Sequence, residues 1–213
     1  MGLEMALSTL VTGADGFVGS HLCEYLTGRG YHVVGAVRNE KPLPHTAKTV
    51  AVGAIDGATD WSAALAGIET VVHSAARVHV LNDPDNKPLD AFRRVNVDAT
   101  VQLARQAAAA GCKRFVFIST IGVVGSVSDV PLCEINQPKP KTAYACSKWE
   151  AEQALQKVAQ ETGLPIVILR PPLVYGAGVK ANFLKLMQVA ISGSPLPLGR
   201  VHNSRDFLSV ANL

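Results

Sequence analysis

Three groups of residues in this chain have types and spacings that could do chemistry. Glycines recur every third residue in the stretch Gly13-Ala14-Asp15-Gly16-Phe17-Val18-Gly19. The hydroxyl pair Ser119-Thr120 follows an apolar run, and Tyr144 precedes Lys148 by four residues. The first group is typical of a turn that binds phosphate. The other two are typical of a site that holds an oxygen atom and exchanges its proton.

The glycine stretch lies between an apolar strand that ends at Thr12 and a helical pattern that starts at Val18. Gly13 can adopt positive φ, Gly16 lets backbone N–H groups approach a pyrophosphate, and Gly19 lets the helix pack closely on the strand. The phosphates would then meet the positive end of the helix. The spacing is one residue longer than the standard dinucleotide fingerprint, so a purely structural strand-to-helix turn stays open for this stretch alone.

Tyr144 and Lys148 leave the same face of a predicted helix because they are four residues apart. A nearby ammonium favours the phenolate, so we expect Lys148 to lower the pKa of Tyr144 and make it a usable proton donor or acceptor. Taken alone, the pair equally fits a surface tyrosine and lysine on an ordinary helix. Ser119-Thr120 favours the chemical interpretation, since ligands of open parallel sheets bind beyond the carboxyl ends of strands.

The elements that must position these residues alternate between strand and helix along the chain. This alternation predicts an α/β fold, a doubly wound parallel sheet (Rossmann fold) with helices on both faces. We expect a long helix ending at Gly111 on which Phe92, Asn96, Ala99 and Leu103 share one face. The expected strands are residues 9–12, 32–37, 49–52, 70–75, 114–120 and 166–170, with a further candidate at 206–210; other expected helices are 61–65, 143–162 and 183–191.

The composition excludes several functional classes. Hydrophobic residues make up 48% of the chain and charged residues 17%, which is typical of a globular protein and not of a disordered one. The net charge is only +3 and the basic residues are dispersed, so we expect no nucleic-acid partner. The absence of a long apolar run or leader predicts no membrane association. The four cysteines lack metal-binding or disulfide spacing, so we expect no metal site and reduced thiols in the cytoplasm.

Taken together, these motifs resemble the extended short-chain dehydrogenase/reductase family, and within it the NAD-dependent epimerase/dehydratase group that acts on nucleotide sugars. The resemblance covers essentially the whole chain. It is carried by residues 12–19 in the turn, His73-Ser74-Ala75-Ala76, Asn96-Val97-Asp98-Ala99-Thr100, Ser119-Thr120, Tyr144-x-x-x-Lys148 and Arg170-Pro171-Pro172-Leu173-Val174-Tyr175-Gly176.

The resemblance implies roles for individual residues. Thr120 takes the catalytic Ser/Thr position, Tyr144 is the acid/base, and Lys148 bridges the nicotinamide ribose hydroxyls while tuning Tyr144. Asn96 corresponds to a buried structural asparagine. Asn182 and Arg205 match the substrate positions that hold the nucleotide diphosphate, and Thr120 is the expected substrate contact that fixes the sugar oxygen. The implied cofactor contacts are Gly13, Asp15, Gly16, Phe17, Val18, Gly19, Arg38, Asp56, Ala75, Ala76, Tyr144, Lys148 and Pro171.

Several features depart from the family pattern. Where NAD-preferring members carry an acid, Val37 is followed by Arg38, which can pair with a 2′-phosphate, so NADP(H) is favoured while NAD(H) stays open. Asp56 lies close to the position that contacts adenine. Complete members extend well past Leu213, so we expect a dinucleotide-binding domain over residues 1–172 and a partial substrate-binding region over residues 173–213.

The expected function is therefore that of a nucleotide-sugar epimerase or 4-keto-sugar reductase, in which a hydride moves between nicotinamide and a sugar carbon. The expected partners are a nucleotide-diphosphate sugar and, through the long helices, a second copy in a homodimer. Two alternatives stay open at this point. One is an NADP-dependent reductase of a non-sugar ketone, of steroid or flavonoid type, and the other is a cofactor-binding regulator without turnover.

Overall fold

Six parallel strands form the central sheet of this protein, seen in a computed structural model that describes residues 7–78, 88–125, 127–128, 130–179, 181–193 and 204–213. The strand order is β3-β2-β1-β4-β5-β6. It reverses between β1 and β4, the point at which doubly wound sheets open a ligand crevice. The predicted Rossmann fold is confirmed. The strands are β1 (Ser8–Thr12), β2 (His32–Val37), β3 (Lys48–Ala51), β4 (Thr70–His73), β5 (Arg114–Ile118) and β6 (Ile166–Leu169).

Helices cover the sheet between successive strands. They are α1 (Phe17–Gly28), α2 (Ser62–Leu65), α3 (Pro88–Arg93), a π-helical turn (Arg94–Asp98), α4 (Ala99–Ala109), a 3₁₀ turn (Ile121–Val123) and α5 (Ala143–Thr162). Helix α5 begins where the Thr142 hydroxyl accepts a hydrogen bond from the Ala145 N–H, and ends at Gly163 with φ of +74°. These are ordinary start and stop signals, which explains why the sequence predicted its bounds.

Alternation along the strands places apolar side chains on both faces of the sheet. Leu10 belongs to a large cluster with Trp61, Leu103, Phe115 and the α5 residue Leu155. Its neighbour Val11 belongs to a smaller cluster on α1, with Ala14, Cys23, Val33 and Val37. Burial on both faces is what favours a continuous parallel sheet over an amphipathic one.

The long helix differs from the regular helix that the sequence predicted. Residues 94–98 form a π-helical turn between α3 and α4. The Thr100 hydroxyl donates to the Asn96 carbonyl oxygen, four residues earlier, and so competes for an acceptor of the helical ladder. Such turns are frequent at functional sites. Asn96 is buried and hydrogen-bonded, as the resemblance implied.

Strand ends also differ from the predictions. Strand β4 ends at His73 instead of residue 75, and the Ser74 hydroxyl donates to the Thr12 carbonyl oxygen. Strand β5 ends at Ile118 instead of residue 120, because the chain enters the 3₁₀ turn whose first N–H groups are capped by Thr120. Side-chain hydrogen bonds at these ends replace the sheet ladder, which apolar patterning alone does not reveal.

A smaller unit, Pro171–Leu213, follows the larger unit, Met1–Arg170. It contains β7 (Leu173–Tyr175), α6 (Ala181–Ile191), β8 (Phe207–Ser209) and a 3₁₀ turn (Val210–Asn212). Strands β7 and β8 are parallel neighbours. The Phe183 ring lies 5.4 Å from the Tyr175 ring and 5.6 Å from the Phe207 ring, centroid to centroid. No helix within the described residues is long and apolar enough to cross a bilayer.

Replacing Gly19 by alanine is expected to destabilise the fold. A Cβ there would overlap the Gly13 carbonyl oxygen, so α1 would have to move away from the turn. Overpacking of this kind costs about 1–3 kcal/mol. The free energy of unfolding in urea measures the effect.

The matched control is Gly28→Ala at the other end of α1, where a Cβ meets no atom within 4 Å. This control is expected to be neutral or slightly stabilising, since alanine favours a helix over glycine. Equal stability of the two variants would contradict the close approach of α1 to the turn.

Candidate active site

The turn between β1 and α1 has the geometry of a phosphate cradle. Gly13 has φ of +62°, and the Gly16 N–H donates to the Gly13 carbonyl oxygen at 2.8 Å. Gly16 is the N-cap of α1, and no side chain caps the N–H groups of that first turn within the described part of the chain. A Cβ on Gly13 would lie 3.0 Å from the Ala75 backbone, so only glycine leaves this approach open. The free N–H groups suit a pyrophosphate.

Charged residues lie on the outer side of this turn. Lys41 Nζ lies 2.8 Å from the exposed Asp15 carboxylate. This hydrogen bond is the main reason that the pKa of Asp15 is lowered, and the positive charge of Arg38 adds to the effect. Arg38 itself is exposed directly after β2. The end of β2 therefore carries a positive charge at the place where this fold contacts the adenosine ribose of a dinucleotide.

The other cofactor positions implied by the sequence have different environments. Phe17 and Val18 are half-buried at the start of α1, and Ala75 and Ala76 are half-buried after β4. The Asp56 carboxylate accepts a hydrogen bond from the Ala58 N–H at 2.8 Å within its own turn. That bond occupies part of its acceptor capacity, and its proposed contact with adenine stays a prediction.

Beneath the turn, a buried hydrogen-bond chain leads away from Ala75. The Ala75 N–H donates to Thr12 Oγ1 at 3.2 Å, and Thr12 Oγ1 lies 2.7 Å from His73 Nδ1. His73 Nε2 lies 2.9 Å from Thr100 Oγ1, whose proton goes to the Asn96 carbonyl oxygen. Thr100 therefore accepts from Nε2–H, and Nδ1 accepts from Thr12.

His73 is held neutral by this environment. Burial is the main cause that lowers its pKa from 6.5 to about 3, and the charge of Lys148 adds to the effect. A proton on Nδ1 would also take away the acceptor that the Thr12 hydroxyl proton uses. The imidazole is fully buried and stacks on the Phe117 ring with centroids 5.9 Å apart, so water does not solvate a charge on it. His73 links β1, β4 and the long helix as a fixed neutral group.

Asn96 continues the polar network toward α5. Its Oδ1 accepts from the Arg77 N–H at 2.7 Å, and its Nδ2 donates to the Arg77 carbonyl oxygen and to Ser147 Oγ, both at 3.0 Å. The Ser147 hydroxyl donates to the Tyr144 carbonyl oxygen at 2.7 Å. The segment after β4, the π-helical turn and the first turn of α5 are thereby joined.

Tyr144 and Lys148 lie on the buried side of the N-terminal half of α5. The Tyr144 ring is edge-on to Phe92, with centroids 6.3 Å apart. The Lys148 side chain is buried, and its Nζ lies 4.0 Å from the centroid of the Phe117 ring on β5. Lys148 therefore faces the sheet at β5, whereas the ring of Tyr144 packs on helix α3.

Thr120 lies immediately beyond β5, beside the same helix. Its Oγ1 accepts from the Gly122 N–H at 3.2 Å, which makes Thr120 the N-cap of the 3₁₀ turn. A Cβ on Gly122 would lie 3.5 Å from Cβ of Ala145, the residue after Tyr144. The end of β5 and the start of α5 are therefore close neighbours, while the roles of Thr120, Tyr144 and Lys148 stay predictions.

The electrostatics of Tyr144 differ from the sequence-based expectation. Burial raises the pKa of Tyr144, whereas we expected Lys148 to lower it. Lys148 is itself buried, and desolvation lowers its pKa from 10.5 to about 7, an effect that the Glu152 carboxylate opposes. A lysine amine that is only partly protonated at neutral pH is a weaker source of positive potential, so the expected lowering of the Tyr144 pKa was wrong for the protein alone.

The hydrogen-bond partners of Glu152 were not predicted from the sequence. This carboxylate is fully buried, accepts from the Ser119 hydroxyl at 2.5 Å, and pairs with Arg170 at 2.6 Å. Glu152 follows Lys148 by four residues, a spacing that places it on the same helix face. That spacing was the one available signal, since nothing local indicates which strands supply the partners.

The smaller unit carries the remaining predicted positions. Pro171 is half-buried and Arg205 is exposed before β8. Asn182 lies in α6, but its side chain is outside the described residues. In the parts of the chain that the structure describes, no group of three or more His, Cys, Asp or Glu side chains could hold a metal ion.

Comparison with known proteins identifies the family. The model of the NAD dependent epimerase/dehydratase family matches residues 9–213. The chain belongs to this family.

Individual relatives include two different kinds of enzyme. The chain is 39% identical over 99% of its length to a UDP-glucose 4-epimerase of Vibrio cholerae, and spans 65% of that protein. It is 31% identical over 86% of its length to a 3-beta-hydroxysteroid dehydrogenase of Mycolicibacterium neoaurum, and spans 52% of that protein. A solved UDP-glucuronic acid 4-epimerase of Bacillus cereus in complex with NAD superimposes with a TM-score of 0.80 and 29% identity, over 96% of this chain and 70% of that one.

Acidification is expected to destabilise the protein through His73. Its folded pKa of about 3 lies below the ordinary value of 6.5, so the unfolded chain takes up a proton that the folded one refuses. The stabilisation is fully present above pH 6.5 and is lost as pH falls toward 3. The slope is at most about 1.4 kcal/mol per pH unit, measured by urea unfolding between pH 7.5 and 5.

His73→Gln is expected to lower the stability at pH 7.5 and to flatten the acid slope. The control His32→Gln alters an exposed side chain and should leave the slope unchanged. If His73→Gln keeps the full slope, another group is responsible for it.

Proposed function

We propose that this chain binds a nicotinamide dinucleotide and acts at carbon 4 of a UDP-sugar, as a nucleotide-sugar epimerase. The carrying observation is that Tyr144 and Lys148 lie on the buried side of α5, next to the strand end that carries Thr120. The family match and the Vibrio cholerae relative support the choice of substrate class. The proposal covers the activity of the whole protein, since the chain spans 65% of that relative.

The dinucleotide fits the residues present. The uncapped N-terminus of α1 supplies N–H groups for the pyrophosphate, and Gly13 and Gly19 keep the cradle free of Cβ atoms. Ala75 lines the cradle, and Lys148 is the residue that would bind the ribose hydroxyls. When bound, the nicotinamide supplies hydride acceptance and return.

Tyr144 exchanges the proton on the sugar oxygen in this proposal. Burial raises the pKa of Tyr144 and favours the phenol in the protein alone, whereas removal of the proton from a sugar hydroxyl needs the phenolate. The charged form of Lys148 stabilises that phenolate, which takes the proton from the sugar oxygen and later gives it back as the phenol. Thr120 holds the oxygen in place with its hydroxyl, and the fixed arrangement of these groups supplies much of the rate.

Reduction of a 4-keto sugar is a second candidate, and Arg38 favours it. A reductase uses a cofactor that arrives reduced, and the positive charge of Arg38 after β2 suits the 2′-phosphate of NADPH. Similarity to a 3-beta-hydroxysteroid dehydrogenase supports a third candidate, in which the substrate is a ketone that is not a sugar. If the substrate of this chain is a nucleotide sugar, Asn182 and Arg205 are the residues that would bind its diphosphate. A homodimer and a cytoplasmic location stay predictions.

Arg38→Ala is expected to reduce NADPH affinity by about tenfold or more, because a charged hydrogen bond to phosphate is worth about 1.5–3 kcal/mol. NADH affinity should change little. Nicotinamide fluorescence, followed in titrations of both cofactors, measures the two dissociation constants.

Arg29→Ala is the matched control, since this exposed arginine lies at the far end of α1. It should leave both affinities unchanged. Equal effects of Arg38→Ala on NADPH and NADH, or NAD that stays bound through purification, would contradict the NADP(H) preference. Either result would remove the support that Arg38 gives to the reductase and leave the epimerase proposal standing.

Tyr144→Phe is expected to slow reduction of the bound oxidised cofactor by UDP-glucose about 10²- to 10⁴-fold, because the proton on the sugar oxygen loses its acceptor. Cofactor affinity should stay within a few-fold. The absorbance of the reduced cofactor at 340 nm in a single-turnover experiment measures the rate.

Tyr25→Phe is the control, since Tyr25 is exposed on α1. A steroid alcohol that reduces the bound cofactor where UDP-glucose does not would overturn the sugar assignment. An unchanged rate in Tyr144→Phe would remove Tyr144 from the reaction.

A further inference from the structure

A buried carboxylate lies one helical turn beyond Lys148 on α5. Glu152 has no exposed surface, yet its oxygens receive several hydrogen bonds. Ser119 Oγ donates to Oε1 at 2.5 Å. Arg170 donates from Nε at 3.1 and 3.2 Å and from a terminal nitrogen at 2.6 Å. This is a charge-assisted pair with two donating groups of one guanidinium, which fixes both side chains.

These bonds join three elements of the candidate site. Ser119 precedes Thr120 at the end of β5, Arg170 follows β6, and Glu152 is on the helix that carries Tyr144 and Lys148. The Arg170 guanidinium also donates to the Glu134 carbonyl oxygen at 3.1 Å. This carboxylate therefore ties the strand end that carries Thr120, and the end of β6, to α5.

Stability alone gives little reason for this arrangement. Buried ion pairs are costly to desolvate, and well-packed apolar residues often replace them without loss. The buried negative charge of Glu152 is better explained by its effect on the positive charge of Lys148, one helical turn earlier on α5.

Several groups face the Lys148 ammonium. From α5 itself Glu152 acts on its charge, and Tyr144 lies one turn before it; from β5 the π face of Phe117 lies at 4.0 Å; and from β4 the neutral His73 interacts with its charge. Arg170, after β6, faces Glu152 and balances its charge. Among these groups Glu152 is the one full negative charge, and it opposes the loss of the Lys148 proton that burial favours.

We propose that Glu152 is a positioning residue, whose carboxylate holds the Lys148 ammonium charged and in place, and whose bond to Ser119 fixes the strand end that carries Thr120. Arg170 sets the strength of this effect by neutralising part of the carboxylate. The catalytic use of the Lys148 charge rests on the proposed function. The effect of Glu152 on that charge does not, because it can be measured in the protein without cofactor or substrate.

The two partners predict opposite effects on Lys148. Removing the charge of Glu152 takes away attraction and should lower the pKa of Lys148. Removing the charge of Arg170 leaves the carboxylate unbalanced and should raise that pKa. A merely structural role predicts the same direction for both variants, since loosened packing admits water and returns Lys148 toward its ordinary value.

The test uses Glu152→Gln and Arg170→Gln in the ligand-free protein with ¹³C-labelled lysine. NMR follows the Cε resonance of Lys148 against pH, and its absence in Lys148→Met assigns it. Glu152→Gln is expected to lower the pKa by on the order of one pH unit, and Arg170→Gln to raise it. The control Glu161→Gln removes an exposed ion pair with Arg105 on the same helix and should change nothing.

Three results would overturn the proposal: a shift in the same direction in both variants, no shift in Glu152→Gln, or a shift of equal size in the control. If Glu152→Gln fails to fold, Ser119→Ala serves instead. It keeps the charge and removes the bond from the strand end, so the Lys148 pKa should stay while the amide resonance of Gly122, whose N–H donates to Thr120 Oγ1, moves. A static Gly122 resonance would contradict the positioning role.

Activity separates this inference from the proposed function. In the enzyme with bound cofactor, Glu152→Gln should displace the basic limb of the pH–rate profile toward lower pH. Failure of UDP-glucose to react in the unaltered protein would refute the proposed function, while the ligand-free titration would still decide the role of Glu152.

Discussion

Burial of the Lys148 ammonium is the constraint on which the arrangement of this site depends. The side chain lies between α5 and β5, where desolvation lowers its pKa to about 7. A charge in such a place must be compensated by nearby groups. The Phe117 ring and the Glu152 carboxylate supply that compensation from two elements, and each in turn needs its own neighbours. The chemistry and the packing of α5 are for this reason inseparable.

The polar groups around this lysine are nearly all satisfied within the protein. His73 is neutral, with one nitrogen accepting and the other donating, because the direction of the Thr100 hydroxyl fixes its tautomer. Asn96 connects the same region to Ser147 and thus to the Tyr144 backbone. A satisfied network of this kind resists rearrangement, since each lost bond exposes a buried donor or acceptor. Its hydrogen bonds run without a break from Ala75, beside the glycine turn, to the backbone of Tyr144.

The two ends of this network meet different requirements. At the cradle, backbone N–H groups must stay exposed, and glycine at positions 13 and 19 leaves the space that side chains would occupy. At α5, the side chains must be buried, because charges interact more strongly where water is excluded. A doubly wound sheet provides both, with an open crevice above the strand ends and apolar layers beneath.

The sequence by itself determined the fold class, the glycine turn and the bounds of α5. Each of these follows from local spacing: apolar runs of strand length, glycines three apart, a threonine cap and a terminal glycine. The π-helical turn, the neutral state of His73, the raised pKa of Tyr144 and the bonds of Glu152 were decided only in the tertiary structure. Ser119, Glu152 and Arg170 belong to three separate elements, and a carboxylate becomes the neighbour of a buried lysine only when the sheet brings those elements together. Burial changes the energies of charged groups, and no local pattern in a sequence specifies which distant residues will exclude the water.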